Sequence, residues 1–234
     1  MTQDELEAQL VRLRKEIDEL SGKSAVVFTE KLANPAPLGL AAFGLTTLVL
    51  NVVNSGIISH DDNVSMVWPL GLMFGGLAQL LAGMWEAKKN NTFGMTAFSA
   101  FGAFWMALGL LKVLQAGGVV AAVSPSGMSV FLVCWGIFTA YMFVGTIKIS
   151  HALQAVFGTL VILFFLLAIG QHNDTWEKIG GYEGLLCAGT ALYTSAALVI
   201  NDTWGRQVLP LGTVKPPAQA PASALPRART GVRA

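Results

Sequence analysis

Six stretches of this chain, near residues 38–58, 65–85, 94–114, 127–147, 152–171 and 181–201, are continuously apolar over their whole length. Each has about the 20 residues a helix needs to cross a hydrocarbon layer about 30 Å thick. A barrel strand would alternate apolar and polar residues, and these stretches do not. Segments that face lipid must satisfy their backbone groups internally, which a helix does within itself. The sequence therefore predicts an all-α integral membrane protein, folded as a six-transmembrane-helix bundle. Composition points the same way: 12% of the residues are charged and 53% are hydrophobic, whereas a soluble domain carries about a quarter charged residues.

Lysine and arginine predict the orientation. The first apolar stretch comes after more than thirty residues, many of them charged, which is unlike a cleaved signal peptide. With the N-terminus inside, cytoplasmic segments hold thirteen of the fifteen Lys and Arg residues, and only Lys112 and Lys178 fall on the other side. That bias, with an even number of spans, gives an N-in, C-in topology. The opposite loops carry Asp61, Asp62, Asp174 and Glu177. The compact form suggests the cytoplasmic (inner) membrane of a prokaryote.

Three regions are expected. Residues 1–33 form a polar cytoplasmic segment in which Leu6, Leu10, Leu13, Ile17 and Leu20 are spaced 4-3-4-3. This is the seam of a short coiled coil, or one face of an amphipathic helix. Residues 34–209 form the six-helix transmembrane domain, and residues 210–234, rich in Pro, Ala and Arg, are expected to be a disordered cytoplasmic tail.

No Asp, Glu, Lys, Arg or His lies near the middle of any apolar stretch; Glu86, Glu183, His60, His151 and His172 sit at the ends. Intramembrane ionisable groups mark proton relays and ion sites, so a dedicated carboxylate shuttle is not expected. There is no nucleophile–base cluster and no metal-ligand spacing, hence no enzymatic reading, no metal and no cofactor. Nucleic acid has no support as a partner. Cys134 and Cys187 both fall inside apolar stretches and imply no disulfide framework.

Uncharged polar residues remain in the spans, notably Thr46, Asn51, Asn54, Gln79, Thr96 and Gln154. An amide left unpaired in lipid is costly, so Asn51, Asn54, Gln79 and Gln154 are expected to face the bundle interior. There they would either bond between helices or line a pathway for a small solute. Such groups can hold a carboxylate or its acid without a fixed positive charge that would trap it, while aromatic rings narrow the path. Phe43-Gly44, Phe101-Gly102 and Phe157-Gly158 recur at intervals of 58 and 56 residues, one pair in each odd-numbered span. Gly71 and Gly75 give the small-residue spacing of a close helix contact. Asn34-Pro35-Ala36-Pro37 favours an extended approach, with Pro37 suited to a first helical turn.

The run Asn34-Pro35-Ala36-Pro37-Leu38-Gly39-Leu40 resembles the signature of the acetate uptake transporters, also called succinate–acetate permeases. The likeness continues through Gly75-Gly76-Leu77-Ala78-Gln79, Glu86, Asn91-Thr92-Phe93-Gly94, Phe101-Gly102, Gly145-Thr146, Ala152-Leu153-Gln154 and Gly205-Arg206, and covers about residues 31–212. It implies a six-helix protomer that assembles as a homohexamer, each protomer with its own pathway for acetate and related short carboxylates, succinate among them. It also implies a midway constriction of Phe43, Phe101 and Leu160, with Phe101 standing where close bacterial relatives have Tyr. Two other readings stay open: a pore for neutral solutes such as urea or short amides, and a membrane scaffold that does not transport.

Overall fold

The computed structural model describes residues 3–30, 32–58 and 66–214. They form seven helices: α1 (Gln3–Glu30), α2 (Ala36–Asn54), α3 (Val67–Lys88), α4 (Thr92–Ala116), α5 (Pro125–Thr146), α6 (His151–Gly170) and α7 (Asp174–Thr203). The last six are long and apolar enough to cross a membrane. The chain is a multi-pass membrane protein. His60, Asp61 and Asp62 lie outside the described residues, as do residues 215–234 of the expected tail.

Local sequence explains where the spans start. The side chain of Asn91 accepts a hydrogen bond from Gly94 N, Ser124 from Gly127 N, Ser150 from Leu153 N, and Asn173 from Thr175 N and Trp176 N. Each satisfies a backbone donor that a helix leaves free in its first turn. The Asn173 cap starts α7 seven residues before the apolar stretch, with Asp174 and Glu177 in its first turn, where the helix dipole favours negative charge. This corrects the expectation for Glu183. It lies three turns inside α7, not at a helix end, and its Oε1 and Oε2 are buried without a hydrogen-bond partner. A hydropathy window misses such a start because the first two turns are polar.

The bundle is organised around α2 and α7, which share the most extensive contact, flanked by α6 beside α7 and by the α3–α4 hairpin beside α2. Gly181 makes this possible: a Cβ there would collide with the α2 backbone at Asn54 and Ser55. Gly184 similarly leaves room for the Asn51 side chain. α5 sits at the periphery and packs chiefly on α6.

Within α3, residues Gly71–Ala78 are π-helical. The segment is rich in glycine, and Gly75 and Gly76 are pressed between neighbours. A Cβ at Gly75 would sit 2.7 Å from Thr46 Oγ1 and 2.9 Å from Trp105 Cγ. The expected small-residue contact at Gly71 and Gly75 is therefore real, and it joins α3 to both α2 and α4. The wide turns alter the angular register of the rest of α3, and Gln79 is the next residue. π-helical segments of this kind occur frequently at functional sites.

The end of the chain also departs from expectation. Composition predicts disorder from residue 210, yet Pro210–Val214 is held against the start of α6. His151 N donates to Gly212 O at 3.0 Å, Ala152 N to Leu211 O at 3.1 Å, and Val214 N to Ile149 O at 3.0 Å. Tyr193 Oη donates to Pro210 O at 2.8 Å, and Asn201 clamps the backbone of Leu209. The physical reason lies in α6, whose first N–H groups lack intrahelical acceptors and take these carbonyls instead.

Candidate functional site

The opening motif does more than start α2. Asn34 Oδ1 accepts from Ala36 N at 3.2 Å, fixing the entry turn, and from Lys89 Nζ at 3.4 Å. Pro37 O accepts from Ser195 Oγ at 2.7 Å, which ties the start of α2 to α7. Gly39 lies against the Phe98 ring, Leu38 faces outward, and Leu40 is buried. Asn34, Ala36 and Leu40 line a cavity of about 270 Å³ at the end of the bundle where α2, α4 and α6 begin and α3 ends.

This vestibule is polar at its mouth and apolar within. Lys89, Asn91 and Ser150 line it with donors, Thr194 presents a hydroxyl oxygen whose proton goes to Thr190 O, and the ordered segment after α7 closes one side through Leu211 and Thr213. Glu86 is buried there, its Oε2 accepting from Asn91 Nδ2 at 2.8 Å. Asn91 uses its other atom, Oδ1, to cap α4, so one side chain sets both the α3–α4 turn and the carboxylate. Lys89 brings a positive charge to the mouth.

Leu40, Ala97, Phe98 and Phe157 also line a second, narrower cavity of about 20 Å³. Its other walls are Phe43, Gln79, Phe101, Val156 and Leu160. The vestibule thus tapers onto Phe43, Phe101 and Leu160, which are 5%, 3% and 3% exposed. Phe101 is the hub: its ring centroid lies 6.0 Å from that of Phe43 and 6.1 Å from that of Phe157, and it also touches Trp135, Phe138 and Phe164. The three repeated Phe-Gly pairs therefore place their rings together at one level of α2, α4 and α6. Each pair's glycine lets a neighbour approach; Gly102 lies against the α3 backbone at Gly76 and Leu80.

Of the polar residues singled out from sequence, only Gln79 reaches this narrow point. It is 1% exposed, and its Oε1 has no hydrogen-bond partner. Its amide can present either an acceptor or two N–H donors to a solute. Thr46 donates to Ala42 O at 2.8 Å and packs against Gly75. Asn51 donates to Thr47 O at 2.8 Å and accepts from Asn54 Nδ2 at 3.2 Å, so both amides are used within α2. Gln154 is held at the start of α6 by Ile147 O and His151 Nδ1. Thr96 is half-buried on α4 and lines neither cavity. Sequence reasoning passed over Lys89, Phe98, Phe157 and Thr194 as site residues. For Phe157 the repeated Phe-Gly pattern was the available signal; Lys89 and Thr194 gave none beyond their polarity.

An all-helical, six-span membrane protein with a polar vestibule tapering to an aromatic and aliphatic narrow point belongs to the class of small-solute transporters and channels. The sequence model of the GPR1/FUN34/yaaH family matches residues 18–211, and the chain belongs to this family. It is 44% identical over 184 residues to a succinate-acetate/proton symporter, SatP, of Escherichia coli (strain K12), covering 78% of this chain and 96% of that protein. It is 38% identical over 206 residues to acetate permease A of Emericella nidulans, covering 79% of this chain and 67% of that one. A solved structure of the bacterial acetate channel SatP superposes with a TM-score of 0.75 at 43% identity, covering 78% of this chain and all of that one.

Proposed function

We propose that this protein carries acetate and related short carboxylates, succinate among them, across the inner membrane through a pathway inside each protomer of a homohexamer. The observation that carries the reading is the pair of contiguous cavities: a vestibule with Lys89, Asn91, Ser150 and Thr194 leading to the point between Phe43, Phe101 and Leu160. The relatives named for succinate and acetate transport, and the solved acetate channel, support the choice of solute.

The chemistry of the path suits an amphiphilic solute. Lys89 at the mouth attracts a carboxylate, and the hydroxyl and amide donors exchange for its hydration. At the narrow point the surroundings are rings and Leu160, with Gln79 the polar contact available. A charged carboxylate loses its solvation there, whereas the acid form loses far less. Proton dependence then enters with the solute itself, and an apolar narrow point of this kind can gate by dewetting.

Labelled-acetate uptake into proteoliposomes, for the natural protein and for Phe43→Ala, tests the reading. Uptake above empty liposomes, inhibited by unlabelled acetate and altered in rate by Phe43→Ala, is expected. Folded protein that passes urea or acetamide without competition from acetate would instead establish the neutral-solute pore.

A further inference from the structure

The N-terminal helix α1 is not used by the pathway or by the bundle. Among the described residues it contacts no other helix, and Leu6, Leu10, Leu13, Ile17 and Leu20 are all exposed along it. The solved channel is covered completely by 78% of this chain, and the family match begins only at residue 18. Most of α1 is therefore an addition to the transporting fold. It has an apolar seam that nothing among the described residues of its own protomer covers.

We infer that α1 pairs with α1 of other copies of this chain, forming a parallel coiled coil above the face where α2 begins. The seam spacing is the first argument. Its apolar residues repeat every 3.5 positions in single file, with Leu at 6, 13 and 20 alternating with Leu10 and Ile17. That narrow stripe suits knobs-into-holes packing against an identical stripe, whereas a helix lying on a broad apolar surface presents a wider face.

Charge supplies the second argument. Residues 3–30 contain seven acidic and four basic side chains, a net charge of −3. An anionic membrane surface repels such a helix, since surface-bound helices carry clustered Lys and Arg. Paired in parallel register, Gln9 of one copy stands opposite Arg14 of the next, so these flanking positions set no like charges together. Tethering is the third: residues 31–35 join α1 to α2. Copies in one assembly leave the membrane on the same face with α1 ends close together, which raises their effective concentration and imposes the parallel orientation. Isolated, a helix with five seam positions is marginal in water.

Cysteine cross-linking of the full-length protein in native membranes tests this, in a Cys134→Ser background because Cys134 is exposed on α5. Leu13→Cys, on the seam, is expected to oxidise to a covalent dimer at least tenfold more efficiently than Lys15→Cys, which points away from it. Adding Leu10→Asp and Ile17→Asp is expected to abolish the Leu13→Cys product while the protein still elutes as folded oligomer. Equal cross-linking at 13 and 15, or a product unaffected by the two aspartates, overturns the inference. So does an absence of cross-linking with Leu13→Cys shielded from a membrane-impermeant maleimide, a result that assigns the seam to the bilayer. Acetate uptake by the same preparations is read separately: lost uptake with intact cross-linking overturns the transport reading and leaves the coiled coil standing.

Discussion

Phe101 and Gln79 show how much a single side chain can carry here. Phe101 touches five other rings, and its position bears on both the packing of α4 and the shape of the narrow cavity. Gln79 is buried in the opposite manner, with a polar atom that the protein leaves unbonded. An unsatisfied buried acceptor costs ~1–3 kcal/mol, a cost that a solute on the proposed route would offset. Gln79→Leu, close in volume, is therefore expected to fold with an unchanged or higher thermal midpoint while acetate uptake falls at least tenfold. If uptake were unchanged, Gln79 would be a packing residue only. Thermal unfolding in detergent and uptake assays on one preparation make the distinction. The contrast with Asn51 is instructive: both are buried amides in spans, but Asn51 spends its bonds on Thr47 O and Asn54.

At the scale of helices, glycine governs how closely the elements approach. The α2–α7 crossing depends on Gly181, whose missing Cβ is replaced by the α2 backbone, and the α3–α4 crossing on Gly102 against Leu80 N and Gly76 O. Backbone cannot step aside as a flexible side chain can. Gly181→Ala and Gly102→Ala are each expected to destabilise the fold by about 1–3 kcal/mol, the usual cost of overpacking. Gly189 on the same helix as Gly181 has nothing within 4 Å of its missing Cβ, so Gly189→Ala is expected to be neutral or slightly stabilising. Thermal midpoints of the three variants check this. A drop for Gly189→Ala equal to that for Gly181→Ala would show that helix flexibility, not close approach, sets the cost. The π-helical segment of α3 belongs to this scale too, since it immediately precedes Gln79, a wall of the narrow cavity, and its glycines tolerate the crowding.

For the whole molecule, the vestibule and the narrow cavity share Leu40, Ala97, Phe98 and Phe157 as walls, and the route proposed past these rings predicts a pH response. On the proposed route the acid form of the solute avoids the cost of burying a charge, so lowering external pH is expected to raise initial acetate uptake. A neutral amide tested in the same vesicles should show no such rise. Uptake that rises equally for both would point to titration of the protein rather than of the solute. Deleting residues 1–30 should leave uptake per folded protomer within about twofold, because α1 touches none of the helices that line the path.

Six membrane-capable helices, the membrane class and the family are legible in the chain's linear order. Continuous apolar length and short linear motifs are local properties, and lipid leaves helices as the way to bury such stretches. The Phe-Gly pattern is also visible along the chain, and Phe43, Phe101 and Phe157 converge in space to line one narrow cavity. Which polar side chain lines the narrow cavity depends on the packing of the helices. Asn51, Asn54, Gln79 and Gln154 read alike in sequence, and each has the same need for partners. Which of them finds one on its own helix depends on turns, on the π segment and on the neighbour across a glycine. The same holds for Pro210–Val214, which begins the Pro-, Ala- and Arg-rich tail by sequence yet is ordered, since the free N–H groups of α6 supply a place for its carbonyls.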